Sequence, residues 1–177
     1  MTPINGVVVG LVTKVDQDIP GRVKVHFTAH DEAHETDWIR IATAMAGKGR
    51  GSFLMPEVDD EVLVAFDHGD VRFPYVVGFL WNGQDEPPAG HVRLRRIQSV
   101  NGHRISFLDA TETNGSKGAL MIEDAHGNVI TMSNGKIVIQ SVSVLEIEAN
   151  TIVLQGRRPP GSDPPWRRVV SPNSNPI

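Results

Sequence analysis

An eight-residue repeat in the second half of the sequence limits the possible folds more than any other feature. Short runs within it, such as residues 128–132 and 136–140, are typical of β-strands. A single-chain β-helix needs roughly twenty residues per turn, so the repeats would close only about two turns, below the ~3 repeats that a solenoid requires. We therefore expect that one chain cannot bury its repeated apolar positions, which are Met121, Val129, Ile137, Leu145 and Val153, with Ile139 and Ile147 two residues after two of them.

Three chains wound around one axis would bury these positions, because each chain supplies one side of a triangular β-prism in every layer. Stacked strands lie ~4.8 Å apart, so similar side chains of successive repeats form columns along the axis. The alternative is an antiparallel meander in a monomer, in which strands and turns keep one spacing by chance. We predict an intertwined homotrimer whose axis is packed by Met121, Val129, Ile137, Ile139, Leu145, Ile147 and Val153.

The first part of the chain predicts short strands separated by turn residues. Val23, Val25 and Phe27 alternate with polar residues, as in a strand with one buried face. No window sustains a helical period with capping residues, so an all-β fold is predicted. Five strands in such a short stretch indicate a small barrel, for which the OB-fold is the natural candidate. The five runs are residues 7–12, 22–27, 38–42, 61–66 and 74–80.

Changes in pattern divide the chain into four predicted parts. They are an OB-fold domain at residues 1–83, a neck at 84–104, the triangular β-prism at 105–156 and a Pro-rich tail at 157–177. The tail is aperiodic, so we expect it to be extended or disordered by itself.

The composition excludes several kinds of site. The absence of cysteine excludes disulfides, zinc–thiolate sites and a cysteine nucleophile. The N-terminus lacks a basic region followed by an apolar one, so we expect no secretion signal. The longest apolar runs, such as residues 7–12, are far shorter than the ~20 residues that span a bilayer. We expect a soluble protein that is made and assembled in the cytoplasm.

Several segments, in consistent order between residues 6 and 156, resemble known proteins of contractile injection machines. Those in the first half resemble the OB-fold domain of VgrG and of phage baseplate-assembly protein V, and two later ones are similar to the entry into that family's β-prism. The segments are residues 38–42, 46–51, 55–64, 66–70, 72–78, 80–83, 102–107 and 122–128.

The resemblance implies a homotrimeric spike at the tip of the inner tube of a phage tail, a type VI secretion system or an extracellular particle. The barrel would bind a baseplate hub protein, and the prism would point at the target membrane, which it contacts only transiently. A PAAR-type tip protein, and effector cargo, would be carried at the far end. The contacts to the tip or another partner are predicted at Leu154, Gln155, Gly156 and Trp166.

The sequence departs from larger members of this family. It has no preceding hub domain and no attached hydrolase domain, so we expect a separate hub protein and no enzymatic activity. Some short phage spikes bind a metal through a His-x-His pair, but no histidine follows His126. We therefore predict no metal site and no cofactor.

The glycine-rich loop and a pair of histidines invite other interpretations. The loop lacks the phosphate-loop spacing and no helix follows it, so we interpret it as a contact to the hub or to a neighbouring subunit. His30 and His34 have the spacing of a zinc helix, but Glu does not directly follow the first histidine. A solvated loop is the preferred interpretation, and an enzyme there is a distant alternative. The residues of the glycine-rich loop are Gly47, Lys48, Gly49, Arg50 and Gly51.

The leading alternative function is nucleic-acid binding, because OB-folds bind single strands through aromatic stacking and a basic groove. Trp38 and Phe53 could stack on bases, while Phe66 and Tyr75 lie in core-like strand patterns. The net charge of −4 lacks the surplus of Lys and Arg that phosphate neutralisation needs. We therefore prefer the spike and predict no nucleic-acid partner.

Overall fold

The computed structural model describes residues 6–27, 35–111, 115–155 and 167–170 of the chain. Over these ranges the chain is all-β, apart from a 3₁₀ turn at Asp67–Gly69. The chain divides into two compact units, Met1–Pro87 and Pro88–Ile177, here called the barrel unit and the sheet unit. Within the described ranges, no helix has the length and apolarity that a membrane crossing demands.

The barrel unit is a closed barrel of five strands, which confirms the predicted all-β fold and barrel. Around the barrel the order is β1, β2, β3, β7 and β6, and every pair is antiparallel except β3 with β7. These strands correspond to the five predicted runs. They are β1 at Val7–Val15, β2 at Arg22–Phe27, β3 at Ile39–Ile41, β6 at Glu61–Phe66 and β7 at Pro74–Phe79. A small hairpin of β4, Ala46–Gly47, and β5, Arg50–Gly51, precedes β6.

The barrel has a buried core, because alternate residues of its strands point inward. On β6, for example, Val62 and Val64 are completely buried and Phe66 is 8% exposed. The rings of Phe27 and Phe66 lie 5.9 Å apart at their centroids, in a tilted arrangement that favours aromatic packing. The buried hydrophobic residues are Val12, Val23, Val25, Ile39, Val62, Val64, Phe66 and Val76.

The turn between β1 and β2 is held by Asp16, which is 7% exposed. Its Oδ1 accepts hydrogen bonds from the backbone N–H groups of Asp18 and Ile19, both at 3.0 Å. Its Oδ2 accepts from Nε and Nη2 of Arg22, at 2.8 Å and 2.5 Å. The Ile19 N–H is the main cause that lowers the pKa of Asp16, and Arg22 adds to it. The carboxylate therefore fixes the point at which β2 begins.

The sheet unit contains a five-stranded antiparallel meander, in the order β12, β11, β10, β9 and β8. A separate pair joins β13, Ile152–Gln155, to β14, Arg167–Val170. The strands of the meander are β8 at Leu94–Gln98, β9 at Arg104–Leu108, β10 at Ala119–Glu123, β11 at Val129–Ser133 and β12 at Lys136–Gln140.

Three features of the sheet unit differ from the sequence patterns. β8 lies within residues 84–104, for which we predict a neck, and β14 lies within the predicted tail. Residues 141–151 form no strand, although the repeat continues through them. The described chain adopts the antiparallel meander that the sequence analysis leaves open, because its turns bring neighbouring strands back along one another. The domain boundaries and the trimeric prism stay predictions.

Candidate functional site

The turn between β11 and β12 decides which residues share a face of the sheet. Asn134 and Gly135 form a two-residue loop with φ of 49° and 74°, as a type I′ hairpin turn requires. The loop places Ser133 opposite Lys136, and Met132 opposite Ile137. Since residues opposite each other in a sheet point to the same side, this register assigns every side chain of β12 to a face.

One face of the sheet carries an isoleucine from every strand, and we call it the isoleucine face. Its first row contains one isoleucine from each strand, directly opposite its neighbours. The exposed fractions of these five side chains run from 37% at Ile130 to 60% at Ile97. The first row is Ile97, Ile105, Ile122, Ile130 and Ile139, and the next row holds Arg95, Phe107, Leu120, Met132 and Ile137.

The opposite face of the sheet is more polar. Nε and Nη2 of Arg104 donate to the two carboxylate oxygens of Glu123, at 2.7 Å and 2.8 Å. This ion pair lowers the pKa of the Glu123 carboxyl group, with the Arg104 hydrogen bonds as the main cause. Nε of Arg96 donates to Ser106 Oγ at 3.0 Å, and Ser106 is 1% exposed. These four polar side chains thus find their partners within one chain.

The residues predicted to pack the trimer axis do not share one face. Ile137 and Ile139 lie on the isoleucine face, whereas Met121 and Val129 lie on the opposite face. The repeat assumes that positions eight residues apart stack directly, but the two-residue hairpin pairs Ile137 with Met132 instead. The Asn-Gly pair is the signal in the sequence that could have revealed this register and the isoleucine row.

The remaining predicted axis residues follow the meander. Leu145 and Ile147 lie in the segment without strands, and Val153 lies in β13. Leu145 helps to line a cleft of about 400 Å³ whose other wall includes Ile130 and Ile139. Residues after β12 therefore reach the isoleucine face without covering it. The role of these residues at a trimer axis stays a prediction.

The glycine-rich loop is the β4–β5 hairpin. Gly51 has φ of 144°, and a Cβ atom there would lie 2.4 Å from the carbonyl oxygen of Met45, so only glycine fits. The Ser52 N–H donates to the same oxygen at 2.9 Å. Lys48 and Arg50 at the tip are exposed. A hairpin that leads to no helix is unlike a phosphate loop, and its contact to a hub or neighbouring subunit stays a prediction.

Several predicted site residues cannot be placed. His30, His34, Gly156 and Trp166 lie outside the described residues. Leu154 and Gln155 belong to β13, and their role at a tip stays a prediction. Within the described ranges, no three residues among His, Cys, Asp and Glu are grouped as metal ligands would be.

The aromatic residues considered for nucleic-acid binding do not form one surface. Phe66 belongs to the barrel core and Phe53 is 70% exposed. Trp38 and Tyr75 line a groove of about 410 Å³ on the barrel unit. The charged residues of this groove are Glu35, Asp37, Arg40, Asp67 and Arg72. Since both signs of charge are present, the groove lacks the basic track that single-stranded nucleic acid requires.

Glu35 joins β1 to β2 through a network that the sequence analysis does not predict. Its carboxylate accepts from Thr13 Oγ1 at 2.8 Å and from Nζ of Lys14 and of Lys24, both at 3.1 Å. These hydrogen bonds, led by that of Thr13, lower the pKa of Glu35 to about 2. The network stabilises the side of the barrel next to the Trp38 groove.

Comparison with known proteins agrees with the barrel geometry. Residues 8–81 match the model of a family described as the type VI secretion system/phage-baseplate injector OB domain. The type VI secretion system spike protein VgrG1a of Pseudomonas aeruginosa is 42% identical over 72 residues, which are 38% of this chain and 11% of the relative.

Two further relatives extend the match beyond the barrel. The spike protein VgrG2a of Pseudomonas aeruginosa is 34% identical over 117 residues, covering 60% of this chain and 14% of the relative. The spike protein VgrG3 of Vibrio cholerae is 31% identical over 114 residues, covering 61% of this chain and 10% of the relative. The chain thus spans between 10% and 14% of the length of these relatives.

The predicted resemblance is confirmed by a family match that coincides with the closed barrel. Together with the similar spike proteins, it shows that residues 8–81 form an OB domain of the type VI secretion system/phage-baseplate injector family.

Proposed function

We propose that this chain is a structural part of the central spike of a contractile injection machine, and that it acts as a homotrimer and not as an enzyme. The barrel unit would cap the inner tube and bind a hub protein. The sheet unit would form the stiff shaft, carry a PAAR-type tip protein with any effector cargo, and cross the target membrane transiently. Assembly would take place in the cytoplasm.

The isoleucine face is the observation that best supports the proposed trimer. A row of five isoleucines, with four apolar residues and Arg95 in the row beside it, is open to solvent in a single chain. Burying one such side chain is worth about 1.5–3 kcal/mol, so an uncovered face leaves a large stabilisation unused. Large exposed apolar patches mark contact surfaces in soluble proteins. Two further copies of the same face, related by threefold symmetry, would cover it.

The two unpaired edges of the meander also support the proposal that the sheet unit forms a stiff shaft. β12 and β8 are the outer strands of the meander, and each pairs with a single neighbour along one edge. Unpaired strand edges invite further strands, and a closed arrangement removes them. Pairing between copies would therefore continue the hydrogen-bonded sheet around an axis and resist bending under load.

Absolute mass by light scattering tests the proposal on the full chain. We expect three times the 19.3 kDa of one chain at micromolar concentration. A stable folded monomer or dimer over the same concentration range would contradict it.

A charge placed in the isoleucine row sharpens this test. Ile139→Asp would bring three carboxylates together at one buried interface, where desolvated like charges repel, so we expect the trimer to dissociate. Gln140→Asp is the matched control, because Gln140 is the next residue of β12 and points to the opposite face. If both variants remain trimeric, the isoleucine face is not the interface.

A further inference from the structure

A groove at one end of the barrel carries a combination of groups that the spike assembly proposed above does not use. It has a volume of about 320 Å³ and lies where β6 begins and β7 ends. Leu54, Phe79 and Trp81 line it with apolar surface. Four carboxylates also line it, those of Asp60, Glu61, Asp85 and Glu86.

The apolar lining is open to solvent to an unusual degree. Leu54 is 68% exposed, Trp81 is 69% exposed and Phe79 is 49% exposed. Side chains of this size, grouped in a concave site, mark binding surfaces more often than scattered exposed residues do. Tryptophan in particular contributes strongly to the energy of protein interfaces.

The walls of the groove are held in place by the barrel. The Leu80 N–H donates to the carbonyl of Glu61 at 3.0 Å, and the Val12 N–H donates to that of Asp60 at 3.0 Å. The Asp59 N–H returns a bond to the carbonyl of Val12 at 2.8 Å. A ligand would thus meet a formed site and lose little free energy in ordering it.

The charge of the groove selects its ligand. No Lys, Arg or His lines it, in contrast to the Trp38 groove, which contains Arg40 and Arg72. Asp60 and Asp85 accept hydrogen bonds from within the barrel unit, but the carboxylates of Glu61 and Glu86 make none with a described residue. Four negative charges around an apolar site repel an acidic segment and attract a basic one.

We propose that this groove binds a segment of another protein that inserts an aromatic or long aliphatic side chain beside Trp81 and flanks it with Lys or Arg. The apolar side chain supplies most of the binding energy, and the flanking cations make the site specific. The groove and the isoleucine face share no residue, so each proposal has its own variants and can fail without the other.

Two synthetic peptides test the charge requirement on the full chain. Both carry a fluorescein label, one Phe and one Leu, and they differ only in having Lys or Glu at the other positions. We expect fluorescence anisotropy to show the Lys peptide binding at least about tenfold more tightly, a difference of about 1.4 kcal/mol. Raising the salt from about 0.05 M to about 0.5 M should weaken only the Lys peptide, since salt screens exposed charges.

Three variants and two controls locate the binding site. Trp81→Ala should weaken the Lys peptide about tenfold or more, and Glu61→Gln and Glu86→Gln should each weaken it by a smaller factor. Phe73→Ala and Glu148→Gln remove a comparable exposed ring and charge elsewhere, and they should bind as the unchanged chain does.

Three binding results would overturn the proposal. The Lys peptide could fail to bind, the two peptides could bind equally, or Trp81→Ala could leave binding unchanged. A loss of the native mass in Trp81→Ala, read by light scattering, would also overturn it, because the groove would then be covered by another copy of this chain.

Discussion

The two units of this chain use the same material, short strands of aliphatic residues, and solve the burial problem in different ways. The barrel unit closes its sheet and encloses eight hydrophobic residues that are at most 8% exposed. In the described part of the sheet unit, no hydrophobic side chain is buried, and Ser106 is the fully buried residue. A closed sheet covers its own inner face, whereas an open single-layer sheet must find a second surface.

A single chain therefore buries the hydrophobic core of the barrel unit, whereas it leaves the isoleucine face of the sheet unit exposed. Every barrel strand has hydrogen-bonded neighbours on both sides, while β8 and β12 of the meander have one each. The family model agrees with this division, since it covers the barrel and ends at residue 81. Four experiments test the contrast, from the largest expected effect to the smallest.

A charged residue in the barrel core should strongly lower the stability of the barrel unit, whatever the oligomeric state of the chain. Val64 is completely buried, so Val64→Asp would bury an unpaired carboxylate and cost about 4 kcal/mol or more. Urea denaturation followed by near-UV circular dichroism measures the loss. Leu63→Asp is the control, because Leu63 is the preceding residue of β6 and points out of the barrel. Equal losses in both variants would mean that the barrel interior is not the stabilising core.

The sheet unit should gain stability from concentration, and the barrel unit should not. For a trimer, each tenfold increase in concentration adds about 2.7 kcal/mol to the free energy of dissociating one mole of trimer into single chains. This is twice the energy of one factor of ten, because two association steps join three chains. Amide hydrogen exchange of β10 and β11 should slow with concentration, while that of β6 and β7 should stay constant. Concentration-independent exchange in both units would show that the sheet is stable as a single chain.

The β11–β12 hairpin should depend on its glycine. Gly135 has φ of 74°, where any other residue is strained, so Gly135→Ala should cost about 1–2 kcal/mol in the sheet unit. No atom lies within 4 Å of the added Cβ, so any loss of stability would come from backbone strain and not from a steric clash. Gly90→Ala is the control, since Gly90 has equal space and no positive φ. Thermal unfolding measures both, and equal melting temperatures would contradict the assigned turn.

Acid should weaken the barrel through Glu35. Its pKa is about 2 in the folded chain against an ordinary value of 4.5, so its stabilisation is present above pH 4.5 and is lost as the pH falls towards 2. Glu35→Gln should therefore melt below the unchanged chain at pH 7, and the gap should narrow in acid. Glu148→Gln, an exposed change elsewhere, should show no such convergence. A gap that is independent of pH would rule out the ionised network.

The barrel was predictable because local patterns decide it. Alternation on β2 and β6 places their valines inside, and turn residues such as Asp16 separate the strands. The neighbouring carboxylate network of Glu35 was not predictable, since it joins residues 11 to 22 positions apart in the chain. Its hydrogen bonds exist only after β1 and β2 are paired.

For the sheet unit, the sequence predicted that strands form but not the register in which they pair. The repeat identifies β11 and β12 as strands, yet it assigns Val129 and Ile137 to one column, whereas the hairpin puts them on opposite faces. Ile97 on β8 shows no periodic signal in an arginine-rich stretch, and it joins the isoleucine row only through pairing with Ile105. The groove beside Trp81 is a similar case. Its lining residues lie between positions 54 and 86 and come from β6, β7 and the loops around them.

The sequence alone determined that this chain is all-β, that its first part forms a five-stranded barrel and that this barrel is an OB domain of the injector family. These properties follow from alternation, turn residues and motifs, all of which lie within a few neighbouring positions. The tertiary structure alone decided which apolar residues share the exposed face and which carboxylates surround Trp81. A shift of one residue in register moves every side chain of a strand to the other face, and register is set only when strands meet.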